Sequence, residues 1–154
     1  MNWITIQDQP FDAPEASALR TALRADLDTR FGGDTEPGVK PTASDITVFL
    51  VARHGPTGPA LGCGALRALD GTTAEVKRMY VVPAARGRGV GRRLLLALEA
   101  RARDLGLRRL VLEMGIGRQP EALALYTRGG FAPTPCWGAY AESGTSQCLE
   151  RLLD

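Results

Sequence analysis

The strongest constraint on this chain is the order of four segments between Thr72 and Met114. A β-prone run, Thr72 to Val82, ends at Pro83-Ala84-Ala85 and leads into Arg86-Gly87-Arg88-Gly89-Val90-Gly91. Val90, Leu94, Leu95, Leu98, Ala102 and Leu105 then fall on one face of a helix. Arg92, Arg93, Arg101, Arg103 and Asp104 fall mostly on the other, and Glu99 and Arg103 form an i,i+4 pair. Gly106 stops that helix as a left-handed cap, and Leu107 to Met114 is a second β-prone run. Strand, loop, helix and strand in this order make a βαβ unit with parallel strands.

The rest of the chain must build around that unit. Trp3 to Ile6 reads as a short first strand. Pro14-Glu15 opens a helix whose Leu19, Leu23 and Leu27 recur every four residues, and which fades near Phe31-Gly32-Gly33. Gly32 to Asp45 is a long loop of Gly, Pro, Thr, Ser and Asp, of a length often tied to function. Ile46–Arg53, Ala60–Leu69 and Thr72–Val82 form an antiparallel meander through turns at 54–59 and Asp70-Gly71. Pro120 to Arg128 is another helix, ended by Gly129-Gly130. Short strands are expected at Phe131 and at Gln147 to Leu152, whereas Pro133 to Gly144 carries no readable pattern. The expected fold is α+β: one mixed, mostly antiparallel sheet with helices on both faces, made by residues 1–154 as a single domain.

Composition excludes several functions. At 154 residues and 44% hydrophobic, the chain can close a real core. Its formal net charge of +2 argues against coating nucleic acid or anionic membrane by bulk charge, and no basic patch is interleaved with aromatics. No apolar run approaches membrane-spanning length, and the N-terminus has no leader pattern, so a cytoplasmic protein is expected. Cys63, Cys136 and Cys148 form no CxxC pair and no disulfide framework. They read as small core hydrophobes in a reducing compartment, and with His54 as the one histidine no metal site is expected.

The chemistry concentrates in Arg86 to Arg93. Glycines at 87, 89 and 91 let backbone amides approach a ligand without Cβ interference. A helix begins there, so its free N–H groups and its dipole favour an anion, and the arginines add charge-assisted donors. Together these describe a phosphate cradle. A Walker A loop would need Lys-Ser/Thr after Gly91, where Arg92-Arg93 stand. A GxGxxG fingerprint fails too, since its last glycine would fall on Arg92 or Leu94, although Glu113 could stand in for a ribose-binding acid. A dinucleotide-dependent oxidoreductase is therefore the weaker alternative.

Arg86, Gly89 and Gly91 match the Arg/Gln-x-x-Gly-x-Gly/Ala signature of the GNAT superfamily of acetyltransferases, which this chain resembles. The resemblance extends from Glu75-Val76-Lys77-Arg78-Met79-Tyr80-Val81 through Leu110-Val111-Leu112-Glu113 to Ala122-Leu123-Ala124-Leu125-Tyr126-Thr127-Arg128-Gly129-Gly130-Phe131. It implies acetyl-CoA as co-substrate and an N-acetyltransferase acting on an amine. The pantetheine arm would lie along Met79, Tyr80, Val81 and Val82. The pyrophosphate would sit on the amides of Arg86, Gly87, Arg88, Gly89, Val90, Gly91 and Arg92. The strands on either side of the helix would splay around the thioester.

The resemblance also implies roles. Gln119, seven residues before Tyr126, takes a place usually held by a cofactor-contacting Asn. Tyr126 stands where relatives carry the general acid for the leaving thiolate. Glu75 stands where histone-acetylating relatives place a base, and Glu113 where those acting on ribosomal protein N-termini place theirs. Direct attack, with no acyl-cysteine, is expected. A non-catalytic CoA-ester-binding module is the second alternative. The acceptor is left open, as is a homodimer. Cationic acceptors would be drawn by Glu75, Glu113, Asp34 or Glu36, with specificity arising in the first helix, the Gly32–Asp45 loop and Pro133–Gly144.

Overall fold

A computed structural model describes residues 3–31, 42–117 and 119–154. The elements are β1 (Ile4–Asp8), α1 (Pro14–Phe31), β2 (Val48–His54), β3 (Ala60–Ala68), β4 (Thr73–Val81), a 3-10 turn (Pro83–Ala85), α2 (Val90–Asp104), β5 (Arg109–Gly115), α3 (Pro120–Arg128), β6 (Ala132–Thr134), α4 (Gly138–Ser143) and β7 (Ser146–Leu152). The seven strands form one sheet in the order β1-β2-β3-β4-β5-β7-β6. Only β4 and β5 run parallel; the other neighbours are antiparallel. The α+β fold with its βαβ crossover is thus the one expected from the sequence.

Residue alternation divides the core between the two faces of the sheet. Val48, Leu50, Ala52, Leu66, Ala74, Val76, Leu110 and Leu112 face α2 and meet Val90, Leu94, Leu95, Leu98 and Ala102. Phe49, Val51, Cys63 and Ala65 face the other way and are covered by Phe11, Ala16, Leu19 and Leu23 of the α1 region. The helical stripe of α2 ends sooner than its spacing suggests. Leu105 is 49% exposed because it is the C-cap, and the chain turns away at Gly106 (φ 78°). Glu99 and Arg103 are 4.0 Å apart, as expected.

Several arginines of α2 and its surroundings are held in ion pairs. Arg101 pairs with Asp8, Arg103 lies 3.2 Å from Asp154, and Arg109 donates to Glu150 at 2.8 Å. Asp70 closes the β3–β4 hairpin by accepting from the Thr72 and Thr73 amides at 2.8 Å each. The patternless segment 133–144 contains α4, a helix too short to show an apolar period.

The cysteine expectation needs correction. Cys63 is a buried thiol, but Cys136 and Cys148 form a disulfide across a Cα separation of 5.2 Å. The β6–β7 ladder pairs Thr134 with Cys148 and so brings Cys136, two residues on, within bridging distance. With that bond, the argument from unpaired cysteines to a reducing compartment no longer holds. No helix among the described residues is long and apolar enough to cross a membrane.

Candidate active site

The site begins where β4 and β5 part. Their parallel pairing covers Thr73↔Arg109, Ala74↔Leu110 and Glu75↔Val111, and then stops. Beyond it β5 continues along β7, and β4 continues along β3. The edge of β4 that faces β5 is left without a strand partner from Val76 to Val81, and backbone groups on such an edge need another partner. Met79, Tyr80 and Val81 lie in this parted stretch, with Val82 just beyond it.

A bulge re-aims the side chains in the same stretch. Cys63 pairs with Tyr80 and Ala65 with Lys77, so Arg78 and Met79 together oppose Gly64. Arg78 has φ 58°, the one positive φ of a non-glycine residue among those described, and its carbonyl accepts the Cys63 thiol at 3.2 Å. The bulge turns Met79 and Val81 toward the α2 core and Tyr80 toward α1. Gly64 makes room for it: a Cβ there would stand 2.6 Å from the Met79 sulfur and 3.0 Å from Leu98.

The glycine loop closes one end of the gap. Gly87 and Gly89 take φ 77° and 87°, and a Cβ on either would meet nothing within 4 Å, so the loop backbone faces open space. Gly89 caps α2 without a side-chain hydrogen bond, which leaves the first amides of the helix available to an anion. Gly91 differs: a Cβ there would lie 3.2 Å from Leu125, so this glycine admits α3 rather than a ligand. Arg86 fastens the loop by donating to the Val81 carbonyl at 2.9 Å and to Asp26 of α1 at 3.2 Å. Arg88 lies over the Trp3 ring at 4.4 Å, and Arg92 is exposed. Gln119 is the N-cap of α3, with its carbonyl accepting from Ala122 and Leu123.

The carboxylates lie on the face away from α2. Glu75 is 1% exposed, and its Oε2 accepts the Tyr140 hydroxyl at 2.8 Å. Lys77 donates to the same hydroxyl at 3.1 Å and lies 3.6 Å from Glu75. The other oxygen of Glu75 is buried without a hydrogen bond, with the Arg67 guanidinium 3.5 Å away. Glu113, on β5, is partly exposed and accepts from Ser146 at 2.6 Å. Glu75 pairs with Val111 across the ladder, so Glu113 sits two residues further along, on the side of the gap where pairing has ended.

Tyr126 is 7% exposed in the α2-side core, edge-on to Phe131 with ring centroids 5.7 Å apart. Burial raises its phenol pKa above the usual tyrosine value, so the hydroxyl keeps its proton at any working pH. Burial likewise pushes the Cys63 thiol up to about 12, which removes it as a nucleophile.

Tyr140 and Arg67 escaped the sequence reading, because only the β3–β4 register and the placement of α4 bring them to Glu75; Lys77 stands two residues from Glu75 on the same strand. Asp34 and Glu36 lie outside the described residues. Among the described residues no cluster of His, Cys, Asp or Glu is arranged to hold a metal ion.

Comparisons with known proteins bear on what this site does. Residues 16–131 match the family model described as acetyltransferase (GNAT) family. An IAA acetyltransferase from Azospirillum brasilense is 46% identical over 107 residues, which cover 68% of this chain and 67% of that protein. A solved structure from Klebsiella pneumoniae, assigned as an acyl-CoA N-acyltransferase, superposes with a TM-score of 0.82 at 34% identity, covering 98% of both chains. A GNAT family acetyltransferase from Elizabethkingia anophelis, solved with acetyl-CoA bound, shares the fold at TM-score 0.70 and 20% identity, covering 99% of this chain and 100% of that one.

Proposed function

The chain belongs to the acetyltransferase (GNAT) family, and from that premise we propose that it moves the acetyl group of acetyl-CoA to a primary amine by direct attack. It is an acyltransferase with acetyl-CoA as its co-substrate. Family membership displaces the dinucleotide reading, whose glycine spacing was already wrong. The observation that carries the proposal is the parting of β4 from β5 after Glu75. It opens a backbone edge between a helix N-terminus without a side-chain cap and a partly exposed carboxylate.

Each group then has a task. The amides from Arg86 to Arg92 hold the pyrophosphate, and the free edge of β4 from Met79 to Val82 pairs with the pantetheine amides. Gln119, the N-cap of α3, contacts the cofactor in this reading. The amine nitrogen attacks the thioester carbon, the C–S bond breaks, and the nitrogen gives up a proton. Glu113 takes that proton directly or through one water, because it is partly exposed and lies on the side of the gap where pairing with β4 has ended. Glu75 is enclosed by Tyr140, Lys77 and Arg67, and serves to position them. Tyr126 donates to the departing thiolate. Burial raises its pKa, so it gives up the proton reluctantly and its help is modest.

The test is an acceptor panel scored by free-thiol release from acetyl-CoA. Primary amines are expected to be acetylated at nitrogen, with a rate that rises with pH until the base and the amine have titrated. Turnover confined to alcohols or thiols, or a rate falling steadily from about pH 6 to 9, would overturn the reading. Acetyl-CoA binding without thiol release for any acceptor would make the chain a binding module.

A further inference from the structure

The Cys136–Cys148 bond closes a loop that reaches both site carboxylates. Cys136 stands two residues after β6, and Cys148 lies within β7, twelve positions on. Between them, Tyr140 donates to Glu75 at 2.8 Å and Ser146 donates to Glu113 at 2.6 Å. Ser143 joins these two contacts: its Oγ lies 2.9 Å from that of Ser146 and 3.1 Å from the Tyr140 carbonyl. Cys148 is itself the register partner of Glu113 on β5.

The other anchors of this loop among the described residues are short. β6 pairs with β7 over three residues, and α4, of six residues, buries Tyr140 alone. Gly138 and Gly144 bound α4 at φ 53° and 70°, and a Cβ on either would meet nothing within 4 Å, so neither serves close packing. A helix this short gains little from its own hydrogen bonds, and the cross-link to β7 fixes its start. Cys148 is buried, whereas Cys136 is partly exposed and open to a reagent. The third cysteine, Cys63, is buried with its thiol pushed up to about 12, which keeps it out of exchange.

We propose that this disulfide is a redox site that governs the acetyl-transfer step, with a dithiol reductant as its partner. One thiolate of the reductant attacks the Cys136 sulfur, the S–S bond breaks, and Cys148 leaves as a thiolate that takes up a proton. The second thiolate of the reductant then displaces Cys136 from the mixed disulfide. Two electrons pass to the chain, leaving two cysteine thiols there and one disulfide in the reductant. Reduction frees α4 from β7, so Tyr140 loses its fixed place on Glu75, and Ser143 its contact with Ser146 beside Glu113. The proposal rests on the amine-acetylation reading, with Glu113 as base, and adds its regulation. The phosphate loop is fastened through Arg86 to Val81 and Asp26 instead, so acetyl-CoA binding is spared.

The experiment measures N-acetylated amine by mass spectrometry, because a reductant would mask free-thiol release. It compares the oxidised chain, the chain reduced with dithiothreitol, the re-oxidised chain and a Cys136→Ser, Cys148→Ser double variant, all below their melting temperatures. After denaturation the oxidised chain should show one free thiol, that of Cys63. On reduction kcat should fall by about ten-fold and return on re-oxidation, while the KM for acetyl-CoA moves by less than about two-fold. The double variant should match the reduced chain and ignore the reductant. If it fails to fold, the reduced and re-oxidised chain carries the test. Hydrogen exchange should quicken at the Tyr140 and Ala141 amides, which donate to the Trp137 carbonyl, and stay unchanged in α2.

Three free thiols in the untreated chain, or a kcat indifferent to reduction, would overturn the redox site and leave amine acetylation standing. A matching loss of acetyl-CoA affinity would make the bond a general brace and overturn the proposal as well. If no amine is acetylated in any state, the amine reading fails and hydrogen exchange decides the redox site by itself. Faster exchange confined to the Tyr140 and Ala141 amides on reduction supports it; unchanged exchange overturns it.

Discussion

On the α2 side of β4 and β5 the alternating residues are Ala74, Val76, Leu110, Leu112 and Met114; on the other side the same strands carry Glu75, Lys77, Val111 and Glu113. The first set packs against Leu94, Leu95 and Leu98 and needs nothing further. The second buries charge, which costs several kcal/mol per ion unless partners are well placed. Tyr140 and Arg67 supply those partners from α4 and β3, yet one oxygen of Glu75 still lacks a hydrogen bond. A buried ion pair is a poor way to stabilise a sheet that could have carried leucine. The two faces thus differ in kind, with apolar packing on one and buried charge on the other.

Substitutions can break this contrast from either side. The largest effect is expected from Glu113→Gln, which removes the proposed proton acceptor while keeping shape. kcat should fall by ~10² to 10⁴, with the melting temperature nearly unchanged. A variant that melts early but keeps its kcat would move Glu113 to the structural side. Next comes Leu98→Ala, on the α2 face, where a fully buried leucine is lost. Urea unfolding should show a loss of ~2–5 kcal/mol, and the folded fraction should still bind acetyl-CoA.

Tyr126→Phe keeps the ring against Phe131. It should lower kcat by about 10², at the weak end of acid catalysis, and hardly move the KM for acetyl-CoA. Full kcat would make Tyr126 a core residue with water as the acid. Tyr140→Phe sharpens the comparison most finely. It preserves the contact with Trp137 but takes the hydroxyl from Glu75 and Lys77. Stability should drop by about 1–3 kcal/mol, and kcat should fall by more than the unfolded fraction explains. Activity tracking the folded fraction alone would make the network purely structural.

What was legible in the sequence were the signals that are local along the chain. The β4–loop–α2–β5 unit declares itself through a change of apolar period and three alternate glycines. Glu75 and Glu113 were legible because their spacing from the loop resembles a known pattern. Tyr140 and Arg67 were not, since their meeting with Glu75 depends on strand register and on a six-residue helix without a period. The Cys136–Cys148 bond was hidden for the same reason: the β6–β7 ladder, not the twelve-residue spacing, brings the two together.

The loop before α2 is proposed to hold the phosphates of acetyl-CoA, and the two glycines that flank α2 allow this to be tested with its own control. Gly89 precedes the helix and Gly106 follows it; both have positive φ, 87° and 78°, and a Cβ on either would meet nothing within 4 Å. Gly89→Val and Gly106→Val therefore carry a similar backbone penalty, but only the first puts a branched side chain at the amides of the helix N-terminus. Titration calorimetry with acetyl-CoA should show affinity near wild type for folded Gly106→Val and no measurable binding for folded Gly89→Val. Unchanged affinity in folded Gly89→Val, or an equal loss in both variants, would contradict the assignment of the loop.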